Sequence, residues 1–185
     1  DINLGSVRLA RNGVLFTSSQ GQASRLINGL MDGRSTVVRS YTGEAGRAMQ
    51  ANPAFLSPEL AVHEFAQPAL AGLGEKLGAL VFQLSPLPGP LLARLPQVLA
   101  QLAAMLRALP VLRSQAPDAV VAVEVRDPAF LSPAFASVLR ESGATFCLGV
   151  HPKMPPVAEQ LPLLRALWPG PLVCRWNTHR MHGAY

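Results

Sequence analysis

Four short segments repeat one plan, and that plan limits the fold more than any other feature of the chain. They cover residues 79–84 (ALVFQL), 119–128 (AVVAVEVRDP), 145–151 (TFCLGVH) and 171–177 (PLVCRWN). Side chains alternate between the two faces of a strand. In the second segment Val121, Val123 and Val125 therefore share one face, and Val120, Ala122, Glu124 and Arg126 share the other. The same split puts Leu80, Phe82 and Leu84 opposite Ala79, Val81 and Gln83. It puts Phe146, Leu148 and Val150 opposite Thr145, Cys147, Gly149 and His151. In the last segment Leu172, Cys174 and Trp176 oppose Val173, Arg175 and Asn177. One face is bulky and apolar. The other is slimmer and turns polar towards its C-terminal end.

A parallel β/α barrel predicts such strands. The bulky face packs under helices, and the narrow interior takes smaller residues with polar groups at the mouth. An ordinary parallel sheet, with polar strand ends reaching solvent, fits the same pattern. Between the strands, Ser57-Pro58 and Ser132-Pro133 pair an N-cap residue with a proline suited to the first helical position. They belong to a short echo, NPAFLSP at 52–58 and DPAFLSP at 127–133, which reads as a shared helix-start device. Helices are expected over about 58–71, 91–109, 133–142 and 157–167. Pro96 favours a fresh start inside the second of these. Strand and helix alternate, which argues for right-handed βαβ units and an α/β protein. At 185 residues the chain is shorter than the ~250 typical of a closed eight-strand barrel, so a partial TIM-type β/α barrel with parallel strands, a fragment, is expected.

Residues 1–50 are rich in Gly, Ser, Arg and Asn and are set apart as a weakly patterned N-terminal segment, with the barrel portion over 51–185. Short strands over 14–19 and 35–41 and a short helix over 23–30 are the expectations there. The glycines near Gly21 lack the Gly-Lys-Ser/Thr ending of a phosphate loop.

Composition narrows the function classes. Hydrophobic residues make up 49%, which argues against a disordered chain. The formal charge of +5 comes from scattered basic residues without runs or aromatic interleaving, so nucleic acid is a possible partner without support. Cys147 and Cys174 lack metal spacing and read as buried thiols of a reducing compartment. Residues 91–109 are apolar, but Arg94, Pro96, Gln97, Gln101 and Arg107 argue against a membrane span. A cytoplasmic protein is the expectation.

Candidate chemistry gathers at the strand ends. Glu124 and Arg126 lie two apart on one face, and Gln83 and Arg175 should end neighbouring strands at the same level. A carboxylate beside guanidinium groups suits an anionic or polyhydroxylated ligand, with Glu124 as acid or base. A structural ion pair at a barrel mouth explains the same residues. His151, His179 and His182 raise the question of metal, but hydrogen-bonding histidines fit better and no metal site is assigned. His63 reads as a surface residue of a helix. Trp168 and Trp176 are expected to pack. Ser85 follows a strand without the Gly-x-Ser-x-Gly elbow, and Cys147 is too apolar in its surroundings for a reactive thiolate.

The ordered segments GLGEKLGALVFQLSP, AVEVRDPAFLSP, ATFCLGVHPKMPP and LVCRWNTHRMHGAY resemble the YecE-like family, the domain of unknown function numbered seventy-two, over about 52–185. The resemblance implies a TIM-type barrel. By motif it points to Gln83, Glu124, Arg126, Arg175, His182, Gly183 and Tyr185. The family's opening Gly-Thr-Ser-Gly-Trp-like strand and its Glu-Ile-Asn-Ser-like segment have no counterpart here, nor do the last barrel strands. The family implies no settled activity, and the cofactor is unknown. The reading is therefore an enzyme, hydrolase-like, with Glu124 catalytic and Gln83, Arg126, Arg175, Asn177, His151 and His182 binding an unknown small or anionic ligand. The alternatives are a non-catalytic module for nucleic acid or another anion, and an inactive fragment.

Overall fold

A computed structural model describes residues 54–151 and 154–176, together with a two-residue antiparallel ladder of β1 (Arg8–Leu9) and β2 (Leu15–Phe16). β2 falls inside the strand expected over 14–19. The expected helix over 23–30 and strand over 35–41 lie outside the described residues.

The main body is a four-stranded parallel sheet of β3 (Ala79–Gln83), β4 (Val120–Glu124), β5 (Thr145–Val150) and β6 (Val173–Trp176), in sequential order. Sequential order with right-handed crossovers puts every connecting helix on one face of the sheet. The sheet curls into a half-barrel, in agreement with the partial barrel expected. Among the described residues its concave face carries no helix and is left to the slim residues Val81, Gln83, Ala122, Glu124, Cys147, Gly149 and Arg175.

The first helical run, α1 (residues 58–73), starts where Ser57 Oγ accepts the Leu60 N–H at 3.3 Å. It widens into a π turn over Ala61–Ala66 before Pro68. Proline lacks an N–H and its ring clashes with the carbonyl four residues back in a regular helix, so a wider turn just before it relieves the conflict. α2 (Gly89–Leu92) is followed by α3 (Leu95–Ala108), with Pro96 in its first turn, so the chain does start afresh there. α4 (Pro133–Glu141) repeats the serine cap, Ser132 Oγ to the Phe135 N–H at 3.3 Å. It ends at Gly143, whose φ of 67° suits only glycine without strain. α5 (Val157–Ala166) leads to β6.

The core lies between helices and sheet. Phe82 meets Phe65 edge-on at 5.1 Å, and Phe135 meets Phe130 and Phe146 at 5.5 and 6.4 Å, all in edge geometry favoured by ring quadrupoles. α3 directs Val98, Leu99, Leu102, Ala103, Met105 and Leu106 inward. The stretch Leu95–Ser114, with mean hydropathy 1.4, is the one among the described residues that is long and apolar enough to cross a membrane by length and composition. That core-facing side also gives the stretch a place in a folded domain.

One expectation fails at β6. Its bulky face was to pack, yet Leu172 and Trp176 are 71% and 75% exposed, and Trp168 is 80% exposed. The reason is position: β6 is the edge of the described sheet, and no helix follows it among the described residues. Cys174 is correspondingly half-buried rather than buried, whereas Cys147 is buried, and both are free thiols. His63 is on the surface as expected, with Nδ1 2.9 Å from Gln67 Oε1.

A candidate anion site at the strand ends

β3 and β4 run in register, so Gln83 stands directly beside Glu124 at the C-terminal end of the pair. Glu124 closes β4 and is wholly buried. A carboxylate removed from water needs cationic partners. Arg126, two residues on and so on the same face, puts Nη2 2.6 Å from Glu124 Oε1. The approach is an ion contact without hydrogen-bond geometry, which leaves Oε1 with no directed donor. The same Nη2 donates to Gln83 Oε1 at 3.3 Å.

Arg175 arrives from β6, two strands away from β4. Its Nη1 donates to Glu124 Oε2 at 2.9 Å and also to Gln83 Oε1. It crosses β5 at Gly149, its register partner. A Cβ at 149 would stand 3.8 Å from Glu124 Oε1, an ordinary contact distance, so Gly149 lies directly against the carboxylate. Four residues from three strands thus meet on the concave face. Glu124 and Arg126 are nearly sealed, at 0% and 7% side-chain exposure, while Arg175 is 39% exposed and forms the open side.

Electrostatics follow from burial. Desolvation pulls the Arg126 guanidinium below its ordinary pKa; Glu124 opposes that shift and Arg175 adds to it. Burial, and then the Glu124 charge, push the Cys147 thiol up to about 12. Cys147 therefore stays protonated and inert, consistent with its apolar surroundings. Arg126 Nε is buried without a hydrogen-bond partner among the described residues. Such an orphan donor costs free energy unless something meets it.

Around this cluster β4 and β5 part company. Their register spans only Ala122↔Thr145 and Val123↔Phe146. Beyond it the side-chain amide of Gln160, fully buried on α5, takes the place of a neighbouring strand. Its Oε1 accepts the Gly149 N–H at 3.3 Å, and its Nε2 donates to Gly149 O at 3.0 Å and Pro155 O at 2.7 Å. Asp127 acts similarly on the other flank: its Oδ2 accepts the Leu87 N–H at 2.7 Å and fixes the loop after β3. Sequence reasoning missed Gly149, Gln160 and Asp127. A usable signal existed for Gln160, which lies one turn before the buried Leu163 and so on the inward face of its helix.

Of the other residues singled out in the sequence, His151 is half-buried one residue beyond β5. Asn177, His179, His182, Gly183 and Tyr185 lie outside the described residues. Among the described residues no three His, Cys, Asp or Glu side chains group as metal ligands.

A cavity of about 660 Å³ opens at the opposite end of the strands, lined in part by Val120, Thr145, Arg107 and Glu141. Its charged pair, Arg107 and Glu141 at 3.8 Å, is 57% and 64% exposed, so solvent already satisfies it. Barrel active sites sit at the C-terminal ends of the strands, where the buried cluster is.

No match was found among curated proteins or among solved structures. The profile of a family described as "Protein of unknown function DUF72" matches residues 39–184, reaching back into the segment set apart as 1–50. With most of its length so matched, and with the half-barrel and its charged strand ends in place, this chain belongs to the DUF72 family of proteins of unknown function.

Proposed function

We propose that the concave end of β3, β4 and β6 binds a small anionic ligand. One observation carries this reading: two guanidinium groups converge on a single buried carboxylate, which leaves one positive charge over on the side open to solvent. Arg126 and Arg175 hold the anion, Glu124 fixes both arginines, and Gln83 orients them. Guanidinium is well suited to the role, because its planar donors match carboxylate and phosphate oxygens. His151 extends the same side from β5, and Asn177 and His182 join it on sequence grounds. The protein is read as a soluble, cytoplasmic one, supported by the core-facing side of α3 and by its free thiols. Titration calorimetry with inorganic phosphate tests the reading. Saturable binding that Arg175→Ala abolishes is expected; heat that this variant leaves unchanged refutes it.

A hydrolase-like enzyme is the second reading, favoured by the position of Glu124 at the C-terminal end of a barrel strand. Glu124 would then move a proton for an anion held by the arginines. Turnover of a panel of nitrophenyl esters and phosphoesters checks it. Glu124→Gln should remove activity with the fold retained, and unchanged turnover excludes Glu124 as the acid or base.

A further inference from the structure

The anion-binding reading leaves open where the ligand's oxygen sits, and Gln83 marks the place. Arg126 Nη2 and Arg175 Nη1 each contact Glu124 and each donate to a single further atom, Gln83 Oε1. A neutral amide carbonyl therefore stands where two cations converge, opposite the one carboxylate they share. Arg126 and Arg175 against Glu124 leave one positive charge, and that charge faces an uncharged acceptor. An amide oxygen carries no charge to set against the guanidinium groups, whereas an ionised oxygen adds ion pairing to each hydrogen bond. The Arg126 Nε–H beside it is buried and unmet. Gln83 itself is half-buried at the end of β3, while Glu124 is sealed, so Gln83 is the acceptor free to give way.

We infer that the Gln83 side-chain carbonyl is a placeholder: it occupies the oxyanion position of the site and yields it to one oxygen of a carboxylate or phosphate group. Resting on the anion-binding reading, this assigns Gln83 a competing role. The amide keeps two like charges in place without a ligand, and its displacement sets the affinity. The site then prefers a ligand of single negative charge, which neutralises the trio.

Phosphate and acetate titrations of the full chain, with thermal melts, test this in three variants. Gln83→Ala vacates the position, so phosphate binding tightens by about tenfold or more, since the two guanidinium–amide hydrogen bonds no longer have to be broken. Gln83→Glu fills it with a permanent carboxylate, so binding of both anions is lost while the melting temperature rises in ligand-free buffer. Arg175→Ala removes one cation and abolishes binding. Weaker phosphate binding by Gln83→Ala with an unchanged melting temperature overturns the placeholder role, since Gln83 would then be helping the ligand. Undiminished binding by Gln83→Glu overturns it too. If the wild-type chain and Gln83→Ala both fail to bind either anion saturably, the anion-binding reading itself falls. The rise in melting temperature in Gln83→Glu still reports, without any ligand, whether the convergence point favours negative charge.

Discussion

β4 and β6 are built to the same alternating plan, each with an arginine set into an apolar segment, yet β4 buries Glu124 completely and β6 leaves Trp176 three-quarters exposed. β4 has a paired strand on each side and helices over its bulky face. Among the described strands β6 pairs only with β5. Alternation decides which face a residue joins; neighbours decide whether that face is dry. The slim face shows the reverse order of dependence. Arg175 on the exposed strand finds its partners on the buried ones.

The largest effect should come from the buried strand. Glu124→Ala strands the buried Arg126 beside the part-exposed Arg175, and urea unfolding should show a loss of ~3–5 kcal/mol. A loss under ~1 kcal/mol would mean that water reaches the cluster and that β4 is no more sealed than β6.

Next is the gap between β4 and β5. Gln160→Ala leaves the buried Gly149 N–H and carbonyl without partners, at a cost of ~1–3 kcal/mol, and should speed hydrogen exchange at Gly149. Exchange as slow as in the parent would show that β4 closes onto β5 by itself.

The two thiols compare the interior with the edge through pH. The folded Cys147 pKa, about 12, lies above its ordinary 9.0, so the folded state holds its proton where the unfolded chain releases it. This contribution to stability is full below pH 9 and is lost as pH rises from about 9 towards 12. Burial raises the Cys174 thiol as well, from a more open position. Denaturation curves between pH 8 and 11 should therefore flatten more in Cys147→Ala than in Cys174→Ala. Iodoacetamide at pH 8 should label Cys174 first, and equal labelling rates would erase the distinction.

The smallest effect is expected at the edge. Trp176→Ala should change stability by no more than ~0.5 kcal/mol, as exposed substitutions do. A cost near ~3 kcal/mol, as for a buried aromatic, would mean that something covers β6 in solution.

Much of this was legible in the sequence. The strands, the Ser57 and Ser132 caps and the restart at Pro96 follow from local rules: period-two alternation, cap chemistry and proline sterics. Alternation also placed Gln83, Glu124, Arg126 and Arg175 at one end of one face, although Arg175 reaches the others from β6, which is not the neighbouring strand that was expected. What escaped depends on pairs far apart in the chain. Gln160 replacing a strand, Asp127 tying down Leu87 and the exposure of Trp168 and Trp176 are consequences of which strands run out of neighbours, and no short window records that. The π turn before Pro68 is intermediate. Its cause, the proline, is local, while Phe65 within it packs on Phe82 of a strand further along the chain.

Arg175 and Gln83 are 92 residues apart, and their bond forms only once β6 has docked. Until then Glu124 and Arg126 face each other as a balanced pair. The surplus positive charge arrives with the fourth strand, so the electrostatics of this strand end report how far the sheet has been assembled.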